Sequence, residues 1–366
     1  MKMKSSAAVF LLSACFAKAD IAIHVSPCGS DTNSGLSLSK PLRSLSRAQE
    51  VVRNMITDSI SEDVKVHVAP GKYILSEPLR LEAADSGKNG FTVSWIGFGA
   101  IVSGGYRVVN WTEDSNGVYV ASVPAGLESR NLFVDGKAAN YARRQITRND
   151  FTYTETGMEW NASQYDWLIS TPGIQNAEVR FIASFTDRYA PIQAVGDRQL
   201  IMKQNSWGNQ IIGWDTVPKP FAEFGVFVQN CLALLDAGGE FYLDSAEGKV
   251  YYKPLDGEDM SRVDAYLGVQ EAIVSIGGKY DNPTHDISFQ GFEFVRDTSL
   301  SWEVQSTDLW QSRPIQLGSD PSITDTPISR LAVTLARMSP ILNMRLRGRV
   351  GGRCPAQCKS ARQPIS

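Results

Sequence analysis

The chain has 366 residues, a formal net charge of −3, and 43% hydrophobic against 20% charged residues. That is enough apolar chain to bury one large core or two ordinary ones. The charge balance gives no reason to expect nucleic acid as a partner, and no window approaches the ~20 consecutive apolar residues that a transmembrane helix needs.

The N-terminus reads as an export signal. Lys2 and Lys4 precede an apolar run over residues 7–16, and Ala17-Lys18-Ala19 supplies the small-x-small cleavage pattern, so the mature chain is expected to begin at Asp20. A rival reading takes Leu12-Ser13-Ala14-Cys15 as a bacterial lipoprotein signal that leaves a lipidated Cys15. Either way the protein is expected outside the cytoplasm, soluble or lipid-tethered. Export would make Asn110-Trp111-Thr112 and Asn161-Ala162-Ser163 candidate N-glycosylation sites. With Cys15 removed, Cys28, Cys231, Cys354 and Cys358 allow three pairings, and spacing does not choose among them. His24, His67 and His285 are scattered and none lies near Cys354 and Cys358, so no metal site is expected.

Residues 21–26 form a short strand, and Gly29-Ser30-Asp31-Thr32-Asn33-Ser34-Gly35 begins like a calcium loop. That reading fails, because the twelfth position from Asp31 is Leu42 where a glutamate is required. Apolar residues at Leu45, Ala48, Val51, Val52 and Met55 predict one amphipathic helix over residues 45–56, with Ser44 as its cap. From Val64 the text breaks into short strands, VKVHVA, KYIL, PLRLE, FTVSWIG and AIVSGG, separated by Gly, Pro, Asn or Asp. Such strands suit a sandwich, a barrel or a solenoid. Ala69-Pro70-Gly71-Lys72-Tyr73-Ile74-Leu75, a strand, tight turn and strand that carries the chain sideways, favours the coils of a parallel β-helix.

Between residues 106 and 265 the strands look longer, antiparallel and rich in aromatics, as in the hairpin of residues 238–255, GGEFYLDSAEGKVYYKPL. Phe241 and Leu243 take one face there, Tyr242 and Asp244 the other, and Glu247-Gly248 makes the turn. A second hairpin starts at residues 131–135. This stretch reads as an inserted β-sandwich. Alternation across a Gly corner returns at residues 272–278 and 285–294, so the solenoid resumes over residues 266–300.

The phrases IHVSPCGSDTNSG (residues 23–35), VAPGKY (68–73), SGG (103–105), NLFVDGK (131–137) through Arg143, the 238–255 hairpin and ISFQGFEF (287–294) carry a resemblance. They look like secreted right-handed parallel β-helix proteins. In particular the chain resembles the β-helical glycoside hydrolases related to a xylanase and α-L-fucosidase family, within the pectate-lyase-like superfamily. The match runs in order from residue 21 to residue 297. It implies an all-β fold: an incomplete right-handed parallel β-helix at residues 20–105 and 266–300, an inserted antiparallel β-sandwich at residues 106–265, and one N-terminal capping helix.

Past residue 300 the resemblance stops. From Pro321 onward Asp325 is the only acid, while Arg330, Arg337, Arg345, Arg347, Arg349, Arg353, Lys359 and Arg362 accumulate. Residues 301–366 are read as a basic tail, a helix over residues 328–338 covering the open solenoid end, or translated intron or shifted-frame sequence. The third reading fits the abrupt loss of coil periodicity best, so the chain is expected to be catalytically incomplete.

Glycosidic hydrolysis ordinarily needs two flanking carboxyl groups. The resemblance puts that pair on coils after the insert, mostly beyond residue 300, so no catalytic residue is assigned. Asp286, Glu293 and Asp297 are the acids of the recovered coils, and solvated corner carboxylates explain them as well. Thr186-Asp187-Arg188-Tyr189 is another polar constellation with an aromatic neighbour, whose plainer reading is a surface ion pair, and no catalysis is assigned to it. Sugar rings stack on flat aromatics, and Trp160, Trp167, Trp207 and Trp214 lie in Asn/Gln/Asp-rich text. Trp207 and Trp214, with Arg143 facing a cleft between insert and helix, are the substrate-binding candidates; burial in a core and a surface ion pair are their alternatives. The absence of GxSxG, P-loop, GxGxxG and HExxH patterns removes serine-hydrolase, nucleotide and zinc-protease readings, and no cofactor is expected. The expected partner is a polysaccharide or oligosaccharide, bound by a monomer. A secreted glycoside hydrolase-like protein acting on cell-wall polysaccharide, a non-catalytic carbohydrate-binding or surface β-helix, and a polysaccharide lyase all stay open.

Overall fold

The computed structural model describes residues 20–295 except 185 and 280, together with the backbone of three short strands, Ser306–Asp308, Leu331–Ala332 and Met344–Leu346. Residues 1–19, read above as an export signal and including Cys15, lie outside the described residues, as do Asp297, Cys354, Cys358 and most of residues 296–366.

The expected helix spans Leu45–Met55, and Ser44 caps it by accepting the Arg47 N–H at 3.1 Å. Its buried positions are Leu45, Ala48, Gln49 and Val52, one face at helical spacing. Asp31, the first acid of the calcium-like loop, accepts the N–H groups of Arg43 and Ser44, each at 2.9 Å. The loop therefore spends that carboxylate on fixing the entry to the helix. Arg53 and Gln49 close on the buried Asp85 at 2.7 and 3.0 Å and tie the helix to the turn Ala83–Asp85.

Strands Ile21–Val25, Val64–Val68, Val93–Ser103 and Ile287–Val295 pair side by side, all parallel. Their register aligns Ile23, Val66, Trp95 and Phe289 in one column, every member buried. Like positions stacked on like positions let successive strands share one apolar interior. Trp95 and Phe289 stack at 5.8 Å within it. Gly71–Ile74 runs parallel to the far half of Val93–Ser103, and Leu79–Leu81 runs parallel to Val274–Ile276. The segments FTVSWIG and AIVSGG, expected as two strands, are one: Val93–Ser103 continues through Gly97-Phe98-Gly99, with a register shift opposite Gly291. Glycine suits the bend, because Gly99 takes φ 74° and a Cβ on Gly97 would stand 2.8 Å from the Phe292 ring.

The remaining sheets are mostly antiparallel. Ala265–Gly268 lies between Gly105–Val108 and Leu132–Val134. The hairpin of Glu240–Asp244 and Lys249–Lys253 pairs Phe241 with Tyr252 and Leu243 with Val250, and Gly248 turns the chain at φ 63°. Its first strand also takes Asn140–Tyr141 in parallel. The largest sheet runs Arg143–Ile146, Glu223–Gln229, Glu178–Ala183, Thr186–Gly196, Gln199–Met202, Gly157–Trp160, Phe151–Tyr153. Val179, Phe181, Ala190, Val226 and Val228 face its core together with Trp160 and Trp207. The chain is thus an all-β protein with few helices.

Cys28 is exposed and Cys231 is buried, both as free thiols, so the pairing of these two with each other is not formed. No helix among the described residues is long and apolar enough to cross a membrane.

Candidate functional site

Alternation gives the largest sheet a second, polar face. One row across it reads Arg143, Gln229, Glu178 and Pro191, and the next reads Gln145, Phe227, Arg180 and Tyr189. Two of the cations here are fully engaged. Arg130 grips Glu178 with two bonds of 3.0 and 2.7 Å, while Gln229 donates to the same carboxylate at 2.5 Å. Arg180 grips Asp187 at 2.9 and 2.7 Å, and the Tyr189 hydroxyl donates to Asp187 at 2.8 Å. The Tyr189 ring lies 4.8 Å from the Arg130 guanidinium and 5.4 Å from that of Arg180. Burial lifts the Tyr189 hydroxyl well above the ordinary phenol range, so it stays a donor.

Arg143 stands apart. Its guanidinium lies 4.5 Å from the centre of the Phe227 ring, and its nearest carboxylate oxygen, Glu240 Oε1, is 3.9 Å from Nε, beyond hydrogen-bonding distance. Burial holds Arg143 below its ordinary value against the pull of Glu240, and the like charge of Arg180 adds to the effect. The Glu240 side chain is 7% exposed. Burial pushes its carboxyl up to about 7; the Asp236 charge adds to the rise, while the Ala237 N–H and Arg143 oppose it. Asp236 is 66% exposed, with Arg144 at 3.7 Å. A buried carboxyl pushed up to about 7 is suited to giving up a proton near neutral pH.

The other sequence candidates fall elsewhere. Trp207 is not a sugar platform. The segment read as an Asn/Gln-rich loop forms the helix Gln204–Ile211, whose inner face carries Trp207 and Gln210, both buried. Trp207 donates to the Thr154 carbonyl at 2.9 Å and packs against Tyr153 and Phe181, each 6.4 Å away, so neither ring face is open. Trp160 is likewise buried and donates to Asp166 at 3.2 Å. Trp167 is half-buried under the Arg144 guanidinium at 4.7 Å. Trp214 is 79% exposed and meets Phe221 edge-on at 6.5 Å.

Thr186-Asp187-Arg188-Tyr189 divides by strand alternation. Asp187 and Tyr189 join the polar face, while Thr186 and Arg188 are buried behind it. Arg188 donates to the carbonyls of Asn209, Trp214 and Asp215 at 2.8–3.0 Å, and Thr186 to the Asp215 carboxylate at 2.9 Å, which together hold the loop that presents Trp214. Asp286 pairs with the adjacent His285 at 2.9 Å, and Glu293 is exposed. Asn110 and Asn161 are both exposed. Among the described residues no group of three or more His, Cys, Asp or Glu side chains is placed to hold a metal ion.

Glu178, Asp236 and Glu240 are not among the residues that sequence pattern singles out. The alternation in EFYLD puts Glu240 on the polar side of its strand; only the parallel pairing of Glu240–Asp244 with Asn140–Tyr141 brings it under Arg143.

No family model matches the chain, and no curated protein matches it. A solved structure named "Glycoside hydrolase" aligns with a TM-score of 0.63 at 22% identity, over 76% of this chain and 51% of its own. The chain therefore spans about half the length of that structure, and the likeness is one of fold. A second, "The complex structure of XylC with xylose", covers 75% of this chain and 35% of its own at 12% identity, with a TM-score of 0.32 too low to bear on the argument.

Proposed function

We propose that this protein is a secreted, carbohydrate-active protein of glycoside hydrolase type that acts on a cell-wall polysaccharide. Its scaffold is a right-handed parallel β-helix at residues 20–105 and 266–300 carrying an antiparallel sandwich at residues 106–265. The parallel column of Ile23, Val66, Trp95 and Phe289 supports the scaffold reading, and the likeness to a structure named glycoside hydrolase supports the carbohydrate-active reading. The observation that carries the functional reading is the buried Glu240 carboxyl beside Arg143 and the exposed Asp236. In this reading Glu240 is the proton donor to the leaving oxygen and Asp236 supplies the second carboxyl group. Arg143, Phe227 and Gln145 form the floor under the sugar. Export through residues 1–19, or tethering through Cys15, and glycosylation of the exposed Asn110 and Asn161 belong to the same proposal.

A non-catalytic, sugar-binding role is the second reading, favoured by the exposed Trp214 with its neighbour Phe221. Reducing-end release from xylan, pectin and fucosylated glycans, measured alongside binding to the same glycans, separates the two. Release from at least one substrate is expected, and it would overturn the sequence expectation that the chain is catalytically incomplete. Binding without release would assign the second reading, and neither binding nor release would overturn both.

A further inference from the structure

We propose that the sugar taken on this face is acidic, and that its carboxylate sits on the Arg143 guanidinium. The inference rests on the functional reading above and names the substrate class for the same site.

Three guanidinium groups meet on this sheet face, and they are not in equal states. Arg130 and Arg180 each hold a carboxylate through two short bonds. Arg143 holds none: its Nε stops 3.9 Å from Glu240, and the rest of its support is the Phe227 ring. Its side chain is 26% exposed, so it is desolvated in part and still reachable. A guanidinium in that condition gains most from a planar anion, which accepts two parallel bonds, while a sugar hydroxyl accepts one weaker bond. Stacking on Phe227 limits the planes the guanidinium can adopt, which lowers the ordering cost of such a bidentate contact.

The groups facing Arg143 set the pH response. Glu240 is the nearest anion, Arg180 is a like charge, and Asp236 with its neighbour Arg144 lies on the far side of Glu240. When Glu240 is ionised it serves as the counter-ion of Arg143. When Glu240 is protonated, Arg143 is left uncompensated and attracts an external carboxylate more strongly. A uronic acid stays ionised in both cases.

Calorimetric titration of the full chain with glucuronate- and galacturonate-containing oligosaccharides, against neutral xylo-oligosaccharides of equal length, tests this. Acidic sugars are expected to bind at least tenfold more tightly at pH 6, with the margin shrinking by pH 8. Arg143→Met should lose that preference, and Arg143→Lys, which keeps the charge without the fork, should retain part of it. Thermal melts of both variants check that each is folded. Equal affinity for acidic and neutral sugars in the natural chain would overturn the acidic-sugar inference alone. So would a preference that survives in folded Arg143→Met. Failure of every sugar to bind would instead overturn the functional reading beneath it.

Discussion

Replacing Arg130 with alanine should destabilise the protein by about 3–5 kcal/mol, because it leaves a buried carboxylate without its cation. The Glu178 side chain is 1% exposed and that of Arg130 only 10%, so little solvent is available to take over. Gln229 would be the remaining donor to Glu178, and the rings of Tyr141 and Tyr189 would lose a guanidinium 5.5 and 4.8 Å away. Burial pulls Arg130 down, yet Glu178 outweighs it and holds the guanidinium above its ordinary value, which is the signature of a pair stabilised only as a pair. The double replacement Arg130→Met with Glu178→Leu should recover most of the loss, since it removes both charges together. The Arg198–Asp166 pair makes a useful contrast. It has bonds of 3.0 and 2.8 Å, but both side chains are 40% exposed, so solvent screens the pair and Arg198→Ala should cost far less than Arg130→Ala. Urea unfolding at pH 7 reads all three. An Arg130→Ala loss no larger than that of Arg198→Ala would refute the assignment of the Arg130 pair as a buried anchor.

Glu240→Gln should act in opposite directions on stability and on chemistry. The folded carboxyl titrates at about 7 against an ordinary value of 4.5, so the native state binds more protons than the unfolded chain between those limits. Stability is therefore lost as pH rises through this window. Glutamine removes the penalty, and with a tenfold change in protonation equilibrium worth about 1.4 kcal/mol, the variant should gain about 1–3 kcal/mol at pH 8, falling to nothing near pH 4. Turnover should drop about 10²- to 10⁴-fold if the carboxyl donates the proton. Denaturation midpoints at pH 5 and pH 8, set beside initial rates, give both quantities. A variant that is destabilised at pH 8, or fully active, would contradict the role given to Glu240.

Local pattern carries a good part of the fold. Helical spacing and a serine cap are properties of neighbouring residues, and Leu45–Met55 with Ser44 follows from them. The hairpin of Glu240–Asp244 and Lys249–Lys253 follows likewise from alternation and Glu247-Gly248. The bend of Val93–Ser103 reads as a strand break in sequence, because Gly97 and Gly99 look like a turn when the Phe292 ring that crowds Gly97 is almost two hundred positions away. Trp207 and Trp214 share one Asn/Gln-rich segment, yet one is buried and the other exposed. What separates them is a two-turn helix with weak local signal and the core it packs against. The site is the least legible part. Arg143, Gln229 and Glu178 adjoin through strand register alone, and the burial that changes Glu240 comes from a strand a hundred residues earlier.

The most direct measurement is a crystal structure with an acidic oligosaccharide bound. A sugar ring is expected over Phe227, with its carboxylate on Arg143 and a glycosidic oxygen within hydrogen-bonding reach of Glu240. A sugar held against Trp214, with the face around Arg143 unchanged, would contradict it.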